Sequence, residues 1–83
     1  MSKPKKIKTL DELKELASEG PIEVFIQLSF GLRSSKNLQY EEDIDMWTIY
    51  NYIDDTEQHL KTEELNKATN IIEALDKGAL YQY

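Results

Sequence analysis

The chain has 83 residues, a formal net charge of −6, 40% hydrophobic and 31% charged side chains, and no cysteine. That length makes one domain near the lower limit of what folds alone. The missing cysteine excludes a disulfide framework and a thiolate zinc site, and the acidic balance opposes attraction to a phosphate backbone.

Residues 1–8 are polar, contain Pro4 and lack periodicity, so they are expected to form a flexible basic arm ahead of a single α+β domain over 9–83. Lys3, Lys5, Lys6 and Lys8 put four positive charges in the first nine residues. The remaining 74 hold the other six basic residues and all sixteen acidic ones, a balance of −10. No apolar run of a signal peptide follows the lysines, and nothing approaches the roughly 18 apolar residues of a membrane span. The expectation is a cytoplasmic protein with no membrane contact.

Thr9-Leu10-Asp11-Glu12 has the spacing of a capping box, and Leu10, Leu13, Leu16 and Ala17 fall on one helical stripe. Gly20-Pro21 should stop this helix, glycine as a left-handed cap and proline because it cannot continue. Over Ile22 to Leu32, the apolar Ile22, Val24, Ile26, Leu28 and Phe30 alternate with Glu23, Gln27 and Ser29, which predicts a strand with one buried and one wet face. Phe25 breaks the polar face; it would pack under a helix or meet a partner. Arg33 to Asn37 reads as a loop or as an outer strand running into Leu38 and Tyr40.

Glu41-Glu42-Asp43-Ile44-Asp45 predicts an acidic turn. Met46 to Ile53 predicts a second strand, with Trp47, Ile49 and Ile53 in the core and Thr48, Tyr50 and Tyr52 on an amphipathic face. Asp54-Asp55 should turn the chain into a short polar strand, Glu57 to Leu60. Thr62 is expected to cap a helix with Leu65 and Ala68 facing inward. Asn70 should start another helix, carrying Ile71, Ile72, Ala74 and Leu75 and ending at Gly78. Ala79 to Tyr83 predicts a terminal strand, with Leu80 inward and Tyr81 and Tyr83 on the opposite face. The expected fold class is α+β: an antiparallel β-meander of three to five strands covered by an N-terminal helix and a C-terminal helical segment.

Catalytic and metal chemistry find few residues to work with. His59 is the sole histidine; with Glu57 on the same strand face it supplies too few ligands for zinc, so it reads as a surface side chain. The acids at 41–45 lack the glycine of a calcium-binding loop, and Trp47 and Thr48 follow at once in a strand. No metal, cofactor or catalytic set is expected. The most site-like stretch is Arg33-Ser34-Ser35-Lys36, which concentrates the body's positive charge. It reads either as an anion-binding loop or as a polar edge strand, and it is not a Walker motif. Tyr40, Tyr50, Tyr52, Tyr81 and Tyr83 exceed what so small a core needs, and tyrosine is favoured at interfaces; sheet packing is the alternative.

Gly31-Leu32-Arg33-Ser34-Ser35-Lys36, Tyr40 with the acidic turn, Asn51-Tyr52-Ile53-Asp54-Asp55-Thr56-Glu57-Gln58, Thr69-Asn70-Ile71-Ile72-Glu73-Ala74 and Lys77-Gly78-Ala79 form a pattern over residues 22 to 83. That pattern resembles short, uncharacterised proteins carried by bacteriophages, prophages and mobile elements of Gram-positive bacteria. The resemblance implies a genomic setting and no mechanism. The function expected is a non-enzymatic accessory protein that binds a host or self protein, with the acidic surface able to mimic nucleic acid. The binding residues expected are Arg33, Ser34, Ser35, Lys36, Tyr50, Tyr52 and Tyr81. The alternatives are a small nucleic-acid-binding protein using the basic arm with Arg33 and Lys36, or a structural homodimer.

Overall fold

The computed structural model describes residues 3–28 and 31–83. In chain order the elements are β1 (Lys5–Lys6), α1 (Leu10–Ser18), β2 (Ile22–Gln27), β3 (Arg33–Glu41), β4 (Met46–Asn51), β5 (Thr56–Leu60), α2 (Leu65–Ala68), α3 (Ile71–Lys77) and β6 (Leu80–Gln82). Short 3-10 turns at Glu42–Ile44 and Thr62–Glu64 complete the path. The expected placements of Ser29, Phe30 and the Ala68 side chain lie outside the described residues.

All strand pairs are antiparallel, in the order β1-β6-β2-β3-β4-β5. Strands β2 to β5 form the expected meander. The sheet is larger than three to five strands because both chain ends join it: β6 pairs with β2, and β1 pairs with β6.

Period-two alternation sorts the sheet into two faces. Val24, Leu38, Trp47, Ile49 and Leu80 are fully buried on one of them, against Leu13 and Ala17 of α1 and Ile71, Ala74 and Leu75 of α3. No helix covers the other face among the described residues.

The start of α1 follows from its sequence. The Thr9 hydroxyl accepts from the Glu12 N–H at 3.1 Å, and the Glu12 carboxylate accepts from the Lys8 N–H at 3.0 Å. The reciprocal bond therefore lands one residue earlier than in an ideal capping box. Gly20 ends the helix with φ +149°, outside the left-handed helical well, so it opens the backbone instead of closing a left-handed cap. Gly78, at φ 67°, does adopt the left-handed cap of α3, and its N–H reaches the carbonyls of Ala74 and Leu75.

Several expectations are corrected. The segment 1–8 is not a flexible arm throughout: Lys5 pairs with Gln82, Lys6 pairs with Tyr81, and Ile7 is fully buried. One apolar residue among four lysines has no periodicity, which hid its role. Ile53 is not a core residue. The strand ends at Asn51, Ile53 falls in the turn, and it is 72% exposed. The strand expected over Ile22 to Leu32 stops at Gln27, and Leu28 is exposed. Arg33 to Asn37 is neither loop nor outer strand, since β3 lies between β2 and β4. An interior strand can carry these polar residues because one sheet face meets water.

Thr62 does not cap the following helix. Glu64 occupies the cap position of α2, while Lys61 caps the preceding 3-10 turn, its N–H bonded to the Glu64 carboxylate at 2.9 Å. The Thr62 hydroxyl instead accepts from the Trp47 indole N–H at 2.9 Å and donates to Asp45. Tyr40 donates to the same Asp45 carboxylate at 2.9 Å, and its ring lies 4.4 Å from that of Trp47. Tyr40 is therefore a core residue, not a surplus interface tyrosine. Asp45 sits at φ 49°, a left-handed conformation that aspartate tolerates. The hydroxyls of Thr62 and Tyr40 hold its carboxyl below the usual range, while burial pushes the Tyr40 phenol up. Asn70 likewise makes no side-chain cap. The neighbouring Thr69 hydroxyl donates to the Leu65 carbonyl at 2.8 Å and accepts from the Ile71 N–H at 3.4 Å.

The Trp47–Thr62–Asp45–Tyr40 chain is a partly buried polar network bordering the apolar core. Thr62→Val keeps the shape but leaves the indole N–H without a partner, at a cost of about 1–3 kcal/mol. For a domain of this size each kcal/mol lowers the melting temperature by about 4–8 °C. Thr62→Ser retains the hydroxyl and should melt closer to the parent. Circular dichroism melts of the two variants make the comparison, and equal melting temperatures would show that the hydroxyl contributes nothing.

Candidate functional site

The helix-free sheet face holds the densest group of aromatic side chains outside the core. Phe25 on β2 projects there, opposite to Val24 and Ile26, and stacks on Tyr81 of β6 with ring centroids 5.3 Å apart and planes at 15°. Tyr83 closes on the same ring at 4.7 Å. Two strands away, Tyr50 and Tyr52 meet edge to face at 5.1 Å. Between the two groups lies β3, which presents the small polar side chains Ser35 and Asn37 in the same pleat.

A hydroxyl from each group is tied to the strands between them. The Tyr52 hydroxyl donates to Glu23 at 3.0 Å, and the Tyr83 hydroxyl bonds the Ser35 hydroxyl at 2.9 Å. The bond to Glu23, then burial, raises the Tyr52 pKa, so this phenol stays protonated as the donor. The cations on this face rest on the rings: the Arg33 guanidinium lies 4.4 Å from the Phe25 centroid and the Lys6 ammonium 5.8 Å from that of Tyr81. Such placements stabilise the rings and fix the long side chains. Phe25 is buried by these neighbours, whereas Tyr52 and Tyr83 remain 47% and 54% exposed.

The expected binding residues divide between the two faces. Arg33, Ser35, Tyr50, Tyr52 and Tyr81 share the helix-free face. Ser34 and Lys36 point the other way, because Ser34 pairs with Ile26 and Lys36 with Val24 in the core-side pleat. Lys36 is partly buried there, with its ammonium donating to the Asn51 side chain. Burial lowers its pKa, and the nearby Asp54 carboxylate offsets part of that fall. The Arg33-Ser34-Ser35-Lys36 run is thus no anion-binding loop; as part of a strand, it cannot aim all four side chains at one ligand.

Phe25, Tyr83 and Glu23 complete the patch and were absent from the expected set. Phe25 had left a readable trace as an aromatic in the polar register of its strand. Tyr83 had one too, since it alternates with Tyr81 in phase.

His59 and Glu57 share the helix-free face of β5, as their spacing implies, with Nε2 and Oε2 3.1 Å apart and both side chains more than half exposed. Among the described residues no group of three or more His, Asp or Glu side chains lies close enough to hold a metal ion. No helix among them is long and apolar enough to cross a membrane. No protein-family model, curated protein or solved structure matches the chain.

Proposed function

We propose that this is a non-enzymatic protein-binding domain whose partner docks on the helix-free face of the sheet. The observation that carries the reading is the aromatic patch of Phe25, Tyr50, Tyr52, Tyr81 and Tyr83, with the Tyr52 hydroxyl tied across β3 to Glu23 and the Tyr83 hydroxyl tied to Ser35 on β3. Tyrosine supplies large contact area with few rotatable bonds, and rings already held in place lose little further freedom on binding. Glu23 and Glu57 lie on the same face, and the chain as a whole carries −6, which favours a partner with basic groups around an apolar anchor. The resemblance to phage-borne proteins points to a host protein as that partner.

A β-sheet face bearing aromatic rings and cations is also the geometry of single-strand nucleic-acid platforms, where bases stack on the rings. The net negative charge weighs against that second reading, because phosphate neutralisation supplies most of such binding.

One experiment separates the two readings. Tyr52→Ala and Tyr83→Ala leave the helix-covered core intact. Each is expected to cost about 2 kcal/mol of partner affinity, as anchoring tyrosines do. Wild type and variants are used as bait in host lysate, and the same proteins are titrated with a labelled single-stranded oligonucleotide at low salt. Capture of a specific protein that both substitutions abolish supports the proposal. Capture indifferent to both, or oligonucleotide binding that collapses with salt, rejects it.

A further inference from the structure

The sheet has two outer strands, and they differ. Strand β1 is two residues long and follows Pro4, so it offers little to pair with. Strand β5 is five residues long, has neither proline nor glycine, and borders no further strand.

Hydrogen-bond phase shows which groups this edge presents. The Tyr52 N–H bonds the Ser35 carbonyl at 3.3 Å. Because bonded and non-bonded pairs alternate in an antiparallel ladder, Trp47, Ile49 and Asn51 turn their backbone groups toward β5. Their partners Leu60, Gln58 and Thr56 therefore point inward. Glu57 and His59 are left with N–H and C=O directed out of the sheet.

We propose that two copies of this chain pair antiparallel through β5, centred on Gln58, to form one continuous sheet. In that register Glu57 faces the partner's His59, and His59 faces the partner's Glu57. Both residues have outward backbone groups, so each pair exchanges two main-chain hydrogen bonds. Each pair sets a carboxylate against an imidazole. Sliding by two residues sets Glu57 against the partner's Glu57, or His59 against the partner's His59. Either slide also loses one doubly bonded pair, so charge and backbone select the same alignment. The two-fold axis stands perpendicular to the sheet, which leaves the aromatic patches of both copies on one side. The pairing uses the edge and not the aromatic face, so it stands or falls independently of the function proposed above.

Sedimentation equilibrium from micromolar to millimolar concentration tests the pairing. Wild type is expected to dimerise. His59→Pro removes an outward N–H while sparing the ladder to β4, and it is expected to sediment as a folded monomer. Glu57→Lys is expected to weaken association by about tenfold or more, and Glu57→Lys combined with His59→Glu to recover it. Mixed isotope labelling should show contacts between Glu57 of one copy and His59 of the other, which keeps the test decisive if the proline variant misfolds. A wild type that stays monomeric at millimolar concentration overturns the proposal. A dimer that survives both single substitutions does so equally.

Discussion

Trp47→Ala is expected to yield a chain with no cooperative thermal transition. The indole is fully buried on β4, packs against Tyr40 at 4.4 Å, and donates to Thr62 at 2.9 Å. Truncating a buried tryptophan costs about 3–5 kcal/mol in lost transfer energy and cavity. Here the Thr62 hydroxyl also loses the indole N–H that donates to it. Whole domains are stable by only about 5–15 kcal/mol, and small ones sit at the low end. Trp47→Phe keeps most of the packing and should still melt cooperatively at a lower temperature. Far-ultraviolet circular dichroism during heating distinguishes the cases; a Trp47→Ala melt near that of wild type would mean the indole is not a core element.

Ile7→Ala is expected to cost about 2–5 kcal/mol, as other buried isoleucines do on truncation. Ile7 is fully buried, and its N–H bonds the Leu80 carbonyl at 3.0 Å, extending the pairing of β1 with β6. Removing residues 1–8 should be worse, since it also deletes β1 and the Lys8 N–H that donates to the Glu12 carboxylate. A truncation meant to test the lysines for nucleic-acid binding would therefore report unfolding. Lys3→Gln with Lys5→Gln removes charge without touching Ile7 and is the appropriate control. Urea titration gives the stability difference, and an Ile7→Ala midpoint equal to that of wild type would contradict the placement of this residue.

Much of the architecture was readable because its signals are local. Capping residues and a leucine stripe mark α1, a glycine cap ends α3, and period-two alternation identifies β2, β4 and β6 with the correct inward faces at Val24, Trp47 and Leu80. What escaped depends on contacts distant in sequence. Ile7 becomes a core residue only because β6 returns from the far end of the chain to lie beside it. The polar β3 is interior because both of its neighbours find it, a fact absent from its own composition. Ile53 continues the apolar alternation of its strand, but the turn through Asp54-Asp55 begins before it. For the candidate site, five of the seven expected binding residues share one face. The error over Ser34 and Lys36 came from treating a strand as a loop, in which side-chain direction carries no alternation.

The place of β6 has a consequence during biosynthesis. Lys6 aligns with Tyr81, so β1 leaves the ribosome long before its only neighbour is made. At about 5–20 residues per second the wait is roughly 4–15 s. Throughout that interval Ile7 and the outer side of β2 lack the strand that covers them. The nascent domain must be finished after its last strand emerges, and until then it is a natural client for a chaperone.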